Sequence, residues 1–250
     1  FVAPLGLSET AASSLLGFAV SSALIGCVLG GMVGGVVASA LGRKRGLMIA
    51  AVLFIISAVG SAYPEMGFPH GAPHTFLTQF IIYRIIGGVG VGLASMLSPM
   101  YIAEMAPASR RGGLVAWNQF AIIFGMLVVY FVNYFIALNG DEAWLTSTGW
   151  RLMFLSEVIP AALLFLLVLG VPESPRWLIM KGREAKAVAI LERINGAPEA
   201  EVEAQSIRRS LHGTVKAKLF SYGVGVIVIG MLLSVFQQFI GINVVLYYAP

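Results

Sequence analysis

Apolar residues fall along this chain in six long blocks, at 11–40, 47–62, 76–103, 114–138, 150–171 and 219–248. Five match or exceed the roughly 20 helical residues that cross a hydrocarbon core. The second is shorter and is expected to extend toward Gly46 and Tyr63. All six predict helices, because an open strand in lipid would leave its backbone polar groups unpaired.

The polar stretches between the blocks predict an orientation. Arg43, Lys44 and Arg45 follow the first block, and Arg110 and Arg111 follow the third. The stretches after the second and fourth contain no Lys or Arg and carry Glu65, Asp141 and Glu142. Basic loops mark the cytoplasmic side, so both chain ends are expected outside. The one sizeable polar insert, 172–218, predicts three helices. Ser174-Pro175 reads as an N-cap with proline at the first helical position. Gly182 would close that helix, and Asn195-Gly196 a second one over 183–194. A third, 198–211, is acidic early and basic late, matching its dipole. The insert reads either as a solvated linker or as a latch between two membrane halves.

Composition confirms the class: 58% of the 250 residues are hydrophobic and 11% charged, with mean hydropathy +0.87. Typical soluble chains are roughly 25% charged. Cys27 stands alone, which excludes an internal disulfide framework. The net charge of +4 does not point to nucleic acid. Nine of the 16 Lys and Arg lie between Arg176 and Lys218, a stretch without the repeated aromatic–basic interleaving that a base-stacking surface needs. The chain opens at Phe1 without a basic leader and stops at Pro250 beside an apolar block, so it reads as part of a longer protein.

Within the blocks, Gly26, Gly30 and Gly34 recur every fourth residue, and Gly87, Gly88, Gly90 and Gly92 crowd the third. This spacing lets helices approach closely. Two ionisable residues lie well inside spans, Arg84 and Glu157. Each would cost roughly 2.5–3.5 kcal/mol facing lipid. At 1.5 Å per residue they lie roughly 9 Å and 10 Å below their span entrances. They therefore share a depth and read as a static ion pair or as a proton-linked switch. Asn118, Gln119, Gln237, Gln238 and Asn243 offer amide donors and acceptors suited to a neutral polyhydroxy ligand, or to fastening helices. Gln238 and Asn243 converge only if their helix breaks, and Gly241 lies between them. Catalytic machinery is not visible: His70, His74 and His212 fall in expected loops, and Asp141 is the only aspartate. No cofactor or metal site is expected.

Several tracts together resemble the sugar porters of the major facilitator superfamily. They run from Ile82-Tyr83-Arg84 through Ser98-Pro99-Met100-Tyr101 to Glu104, and include Arg111-Gly112 and Asn118-Gln119-Phe120. Pro172-Glu173-Ser174-Pro175-Arg176-Trp177-Leu178 and Gln237-Gln238-Phe239-Ile240-Gly241-Ile242-Asn243 complete the set. The resemblance implies an all-α membrane protein covering helices two to seven of twelve. Residues 1–171 would form the N-terminal bundle without its first helix, 172–218 a cytoplasmic helical linker, and 219–250 the first helix of the C-terminal bundle.

By the same resemblance the function is alternating-access transport of a monosaccharide, D-xylose or a related pentose or hexose, with a proton. A proton-independent facilitator and a non-transporting sugar sensor are the alternatives. Gln119, Gln237, Gln238 and Asn243 would bind sugar, and Tyr247 and Tyr248 would gate the extracellular side. Arg84 would pair with an aspartate of helix one, assisted by Glu157. Arg43, Glu104, Arg111, Glu173 and Arg176 would form a charge network closing the cytoplasmic side. The implied partners are sugar, proton, an inner-membrane bilayer and the rest of the parent chain. Two positions depart from the pattern: Ser39-Ala40 replace a polar–arginine pair, and Met126 stands where xylose carriers have a hydrogen-bonding glutamine.

Overall fold

The computed structural model describes residues 8–66, 73–107, 109–213 and 224–239. Four long helices come first: α1 (Glu9–Ala40), α2 (Arg43–Ala62), α3 (Pro73–Met105) and α4 (Arg111–Ala137). A broken helix follows as α5 (Glu142–Trp144), a π-helical turn at Leu145–Gly149, α6 (Trp150–Ser156) and α7 (Val158–Gly170). The polar insert forms α8 (Pro175–Met180), α9 (Glu184–Asn195) and α10 (Ala197–Gly213), and α11 covers Val224–Phe239. No strand occurs among the described residues.

Five helical runs are long and apolar enough to cross a membrane: Glu9–Ala40, Arg43–Ala62, Phe76–Met105, Arg111–Ala137 and Glu142–Gly170. They correspond to the first five expected spans. Of the sixth, Val224–Phe239 is helical and the remainder lies outside the described residues. The chain divides into two compact units, Phe1–Ala204 and Gln205–Pro250. The first helices of the polar insert thus belong with the membrane bundle.

Three expectations need correction. Arg43, Lys44 and Arg45 do not form a loop but the first turn of α2, which leaves only Leu41 and Gly42 between α1 and α2. The fifth span begins earlier, because the Asp141 side chain caps α5 by accepting the Trp144 N–H at 2.9 Å. His74 and His212 are helical rather than in loops, and His70 lies outside the described residues. Inside the polar insert the turn chemistry reads true. Ser174 caps α8, and Gly182 and Gly196 take φ of +70° and +87°. The Gly182 and Arg183 N–H groups bond back to the Ile179 and Leu178 carbonyls, closing α8 in a Schellman turn.

The bundle is built on small residues. Ala19, Ser22, Gly26, Gly30, Gly34 and Ala38 form one buried stripe on α1. Val20, Leu24, Val28, Met32 and Val36 are exposed on its other side. This inverts the order of a soluble protein. Lipid tails are as apolar as leucine, so helix association relies on close packing rather than on apolar burial. The α1–α3 seam shows how close: a Cβ at Gly26 would strike the Ile85 carbonyl, one at Gly88 the Ala23 carbonyl, and one at Gly92 the Cys27 carbonyl. Below the seam, Ala38, Leu47, Ala50, Leu93, Leu97 and Val168 knit α1, α2, α3 and α7 together.

The seam makes a prediction. Gly88→Val should destabilise the detergent-purified protein by about 3 kcal/mol, the upper range for overpacking, because backbone cannot yield. Gly17→Val, where a Cβ meets nothing within 4 Å, should change stability by less than about 0.5 kcal/mol. Thermal melts of the two variants provide the comparison.

Candidate functional site

A tight turn between two long helices leaves orphan carbonyls at one helix end and orphan N–H groups at the other. Here partners come from the segment after α7 and from the Arg43 side chain. Glu173 Oε1 accepts the Arg43 N–H at 2.9 Å and the Lys44 N–H at 3.1 Å, both in the first turn of α2. It also accepts the Ser174 N–H at 2.9 Å. On the α1 side, the Ser39 carbonyl accepts from Trp177 Nε1 at 3.1 Å and the Ala38 carbonyl from Arg43 Nη1 at 3.0 Å. Ser39 thus joins this site through its backbone, although its side chain lacks the charge the family pattern would supply.

Glu104, at the end of α3, completes the arrangement. Its Oε1 pairs with Arg43 Nη2 at 2.7 Å, with the two side chains only 10% and 12% exposed. Its Oε2 accepts from Ser174 Oγ at 2.5 Å. Removing one member of so buried a pair costs about 3–5 kcal/mol, since the other charge is stranded. Arg43 at a helix start opposes the α2 dipole, and the Glu173 carboxylate restores the favourable sign. Lys44 Nζ bonds the Leu169 carbonyl at 2.9 Å, and Tyr101 donates to the Pro172 carbonyl at 2.8 Å. Five helices are thereby interlaced at one end.

Gly42 is a requirement of this lock. Its φ of +96° and ψ of 170° lie where only glycine rests without strain. A Cβ there would also overlap the Glu173 carboxylate.

Of the other two members of the expected network, one is placed differently. Arg111 pairs with Glu203 on α10 at 3.8 Å, both partly exposed, and not with Glu104 or Glu173. Arg176 is half-buried in the first turn of α8. Ser174, Lys44, Tyr101 and Trp177 were not expected in the lock. Their partners lie 70 to 138 residues away in the chain, and the Ser174-Pro175 cap was the only local signal.

Arg84 on α3 and Glu157 at the α6–α7 junction make no direct ion pair among the described residues. The Arg84 guanidinium rests over the Phe154 ring at 5.6 Å, and its Nε is buried without a hydrogen-bond partner. Glu157 sits at the interruption between α6 and α7. Pro160 explains the break, since it offers no N–H to the Ser156 carbonyl. The Glu157 side chain is exposed on this surface, so within a bilayer it must meet water, a cavity or another protein segment.

The amides divide. Asn118 accepts from Ser98 Oγ at 2.8 Å and fastens α4 to α3. Gln119 is exposed beside it, on a helix with no buried residue, and Met126 is exposed on the same helix. Gln237 and Gln238 lie on α11, while Asn243, Tyr247, Tyr248 and the expected break at Gly241 lie outside the described residues. At the other end of the bundle a clasp was missed in the sequence. Arg151 Nη1 donates to the Ala62 carbonyl at 2.8 Å and to Glu65 at 2.6 Å, with its guanidinium 4.8 Å over the Trp150 ring. Its signal was a lone arginine at a span entrance opposite an acidic loop.

Membrane-length helices packed through glycines, locked by charges at one end and carrying an intramembrane arginine, define a polytopic α-helical membrane protein. The chain belongs to the sugar (and other) transporter family, whose model matches residues 4–250. Over its whole length it is 59% identical to the D-xylose-proton symporter of Escherichia coli, and 37% identical to the glucose facilitated diffusion protein of Zymomonas mobilis. It spans 53% of each, about half the length of these curated relatives. The structure of the major facilitator superfamily proton:xylose symporter XylE bound to 6-bromo-6-deoxy-D-glucose matches with a TM-score of 0.92. That match covers 100% of this chain and 55% of XylE, at 59% identity. The fold is therefore that of the major facilitator superfamily.

The lock predicts a local effect. Glu173→Ala should speed amide hydrogen exchange at Arg43 and Lys44 about tenfold, the equivalent of one lost net hydrogen bond of about 1.4 kcal/mol. Glu173→Gln, which keeps an acceptor oxygen, should fall between. Unchanged exchange in the alanine variant would mean that Glu173 is not the cap.

Proposed function

We propose that the chain supplies helices two to seven of a secondary active transporter that carries a monosaccharide and a proton together by alternating access. D-xylose or a related pentose or hexose is the expected sugar. The observation that carries this reading is the Arg84–Glu157 arrangement, set in a chain so similar to a D-xylose-proton symporter. A guanidinium with unused hydrogen-bonding capacity inside a membrane bundle calls for a further anion. A carboxylate from the part of the parent protein outside this chain would fill that role, and its protonation would release Arg84.

In the transport cycle, sugar bridges Gln119 on the first bundle and Gln237, Gln238 and Asn243 on the second. Tyr247 and Tyr248 close the outer side over it. The Arg43–Glu104–Glu173 lock, with Arg176 in the next helix and Arg111 tied to Glu203 of the polar insert, holds the inner side shut until sugar and proton are bound. This places residues 172–218 in the cytoplasm and the protein in the cell's inner membrane, a placement supported by the excess of Lys and Arg at that end. The facilitator reading retains one support, the likeness to a protein named for facilitated glucose diffusion.

Radiolabelled D-xylose uptake by the parent protein in proteoliposomes separates the two readings. Accumulation above equilibrium under an inward proton gradient, abolished by a protonophore, is the expected result; gradient-independent equilibration would establish a facilitator. Glu157→Gln should shift the pH profile of accumulation and spare sugar exchange, whereas matching profiles would reduce Glu157 to a structural role. Gln238→Ala should weaken sugar binding about tenfold or more, as expected for leaving a polar ligand group unpaired. Equal affinity by calorimetry would remove Gln238 from the site.

A further inference from the structure

Two cavities meet on one flank of the bundle, at its basic end. The first, about 480 Å³, opens between α2, the end of α7, α8 and α9. Four cations converge on it, Lys44, Arg45, Arg183 and Lys186, with Trp177 and Glu173 in its wall. The second, also about 480 Å³, is almost wholly apolar and runs along α2 and α7 past Ile49, Val52 and Phe165. The two share Arg45 and Met48 in their linings and so lie side by side.

The charges in the first cavity are not balanced from within. Glu173 is its only acidic lining residue, and one of its oxygens is already committed to three backbone N–H groups. Among the described residues no carboxylate lies within ion-pair distance of Lys44, Arg45, Arg183 or Lys186. Four like charges around one cavity repel each other unless an anion sits among them. Arg183 lies 6.0 Å over the Trp177 ring, and tryptophan is enriched at the headgroup level of membranes. A free anion would need only the basic cavity. The neighbouring groove, lined by Leu41, Ile49, Val52, Leu53 and Phe165, has the apolar character that an acyl chain requires.

We propose that these two cavities form a binding site for an anionic phospholipid, its phosphate among Lys44, Arg45, Arg183 and Lys186 and one acyl chain along Ile49, Val52 and Phe165. Basic pockets beside transmembrane helices recognise anionic headgroups by this chemistry. The site is separate from the sugar and proton residues and requires only that these helices span a bilayer.

Native mass spectrometry of the intact parent protein, delipidated and titrated with phosphatidylglycerol or phosphatidylethanolamine of matched chains, tests this. Phosphatidylglycerol should be retained about tenfold better. The double variant Arg45→Gln/Lys186→Gln should remove that preference without changing the melting temperature of the lipid-free protein. Val52→Trp, which fills the groove without altering charge, should lower retention of the same lipid. Lys186→Gln alone, at an exposed position on α9, should give a smaller loss in the same direction, and is read if the double variant does not fold. Equal retention of the two lipids, or variants that bind as wild type, would overturn the proposal. So would displacement of phosphatidylglycerol by millimolar inorganic phosphate, which would assign the cavity to the free anion.

Discussion

A helix that ends inside a crowded membrane protein must find partners for its last carbonyls and first N–H groups, and the basic end of this molecule is organised around that demand. Two helices of 32 and 20 residues meet across a two-residue turn, too short to satisfy its own ends. The segment after α7 supplies what is missing: a carboxylate for the start of α2 and an indole N–H for the end of α1. Arg43 belongs to one helix and caps the other, and Glu104 then neutralises it. Each group serves two neighbours, so charge pairing, capping and helix spacing form one problem with one solution.

That lock also fixes the geometry above it. With the ends of α1, α2, α3 and α7 held together, the α1–α3 seam can run backbone against backbone for about two turns, between Ala23 and Gly31 on α1 and between Ile85 and Gly92 on α3. Small residues make this approach possible, and the end-lock keeps it in register. The far end is held more sparingly, by Arg151 reaching the last carbonyl of α2.

The sequence disclosed the spans because lipid imposes a length, and the blocks at 11–40 and 76–103 satisfy it almost regardless of context. It misplaced the start of α2 by four residues because basic residues normally avoid a helix N-terminus. Glu173, 130 positions away, overrides that preference. The early start of the fifth span followed from the Asp141 cap and a π-helical turn, neither of which hydropathy registers. Within the lock, Arg43, Glu104 and Glu173 were named through family resemblance, while Lys44, Tyr101 and Trp177 act on backbone carbonyls across long separations and leave no local pattern; Ser174 showed only its cap. Arg84 and Glu157 were legible from cost alone, since charge inside an apolar run always asks for a reason. Arg111 shows the converse: its motif named it, yet it pairs with Glu203 on a helix the motif does not include.

Gly42 gives the lock an evolutionary consequence. Any substitution there introduces a side chain into the space of the Glu173 carboxylate while imposing a backbone conformation that L-residues reject. A single missense change would then displace the carboxylate that caps the Arg43, Lys44 and Ser174 N–H groups. Such a position has no tolerated neighbour in sequence space, so lineages that keep this turn are expected to keep its glycine while the surrounding apolar surface drifts.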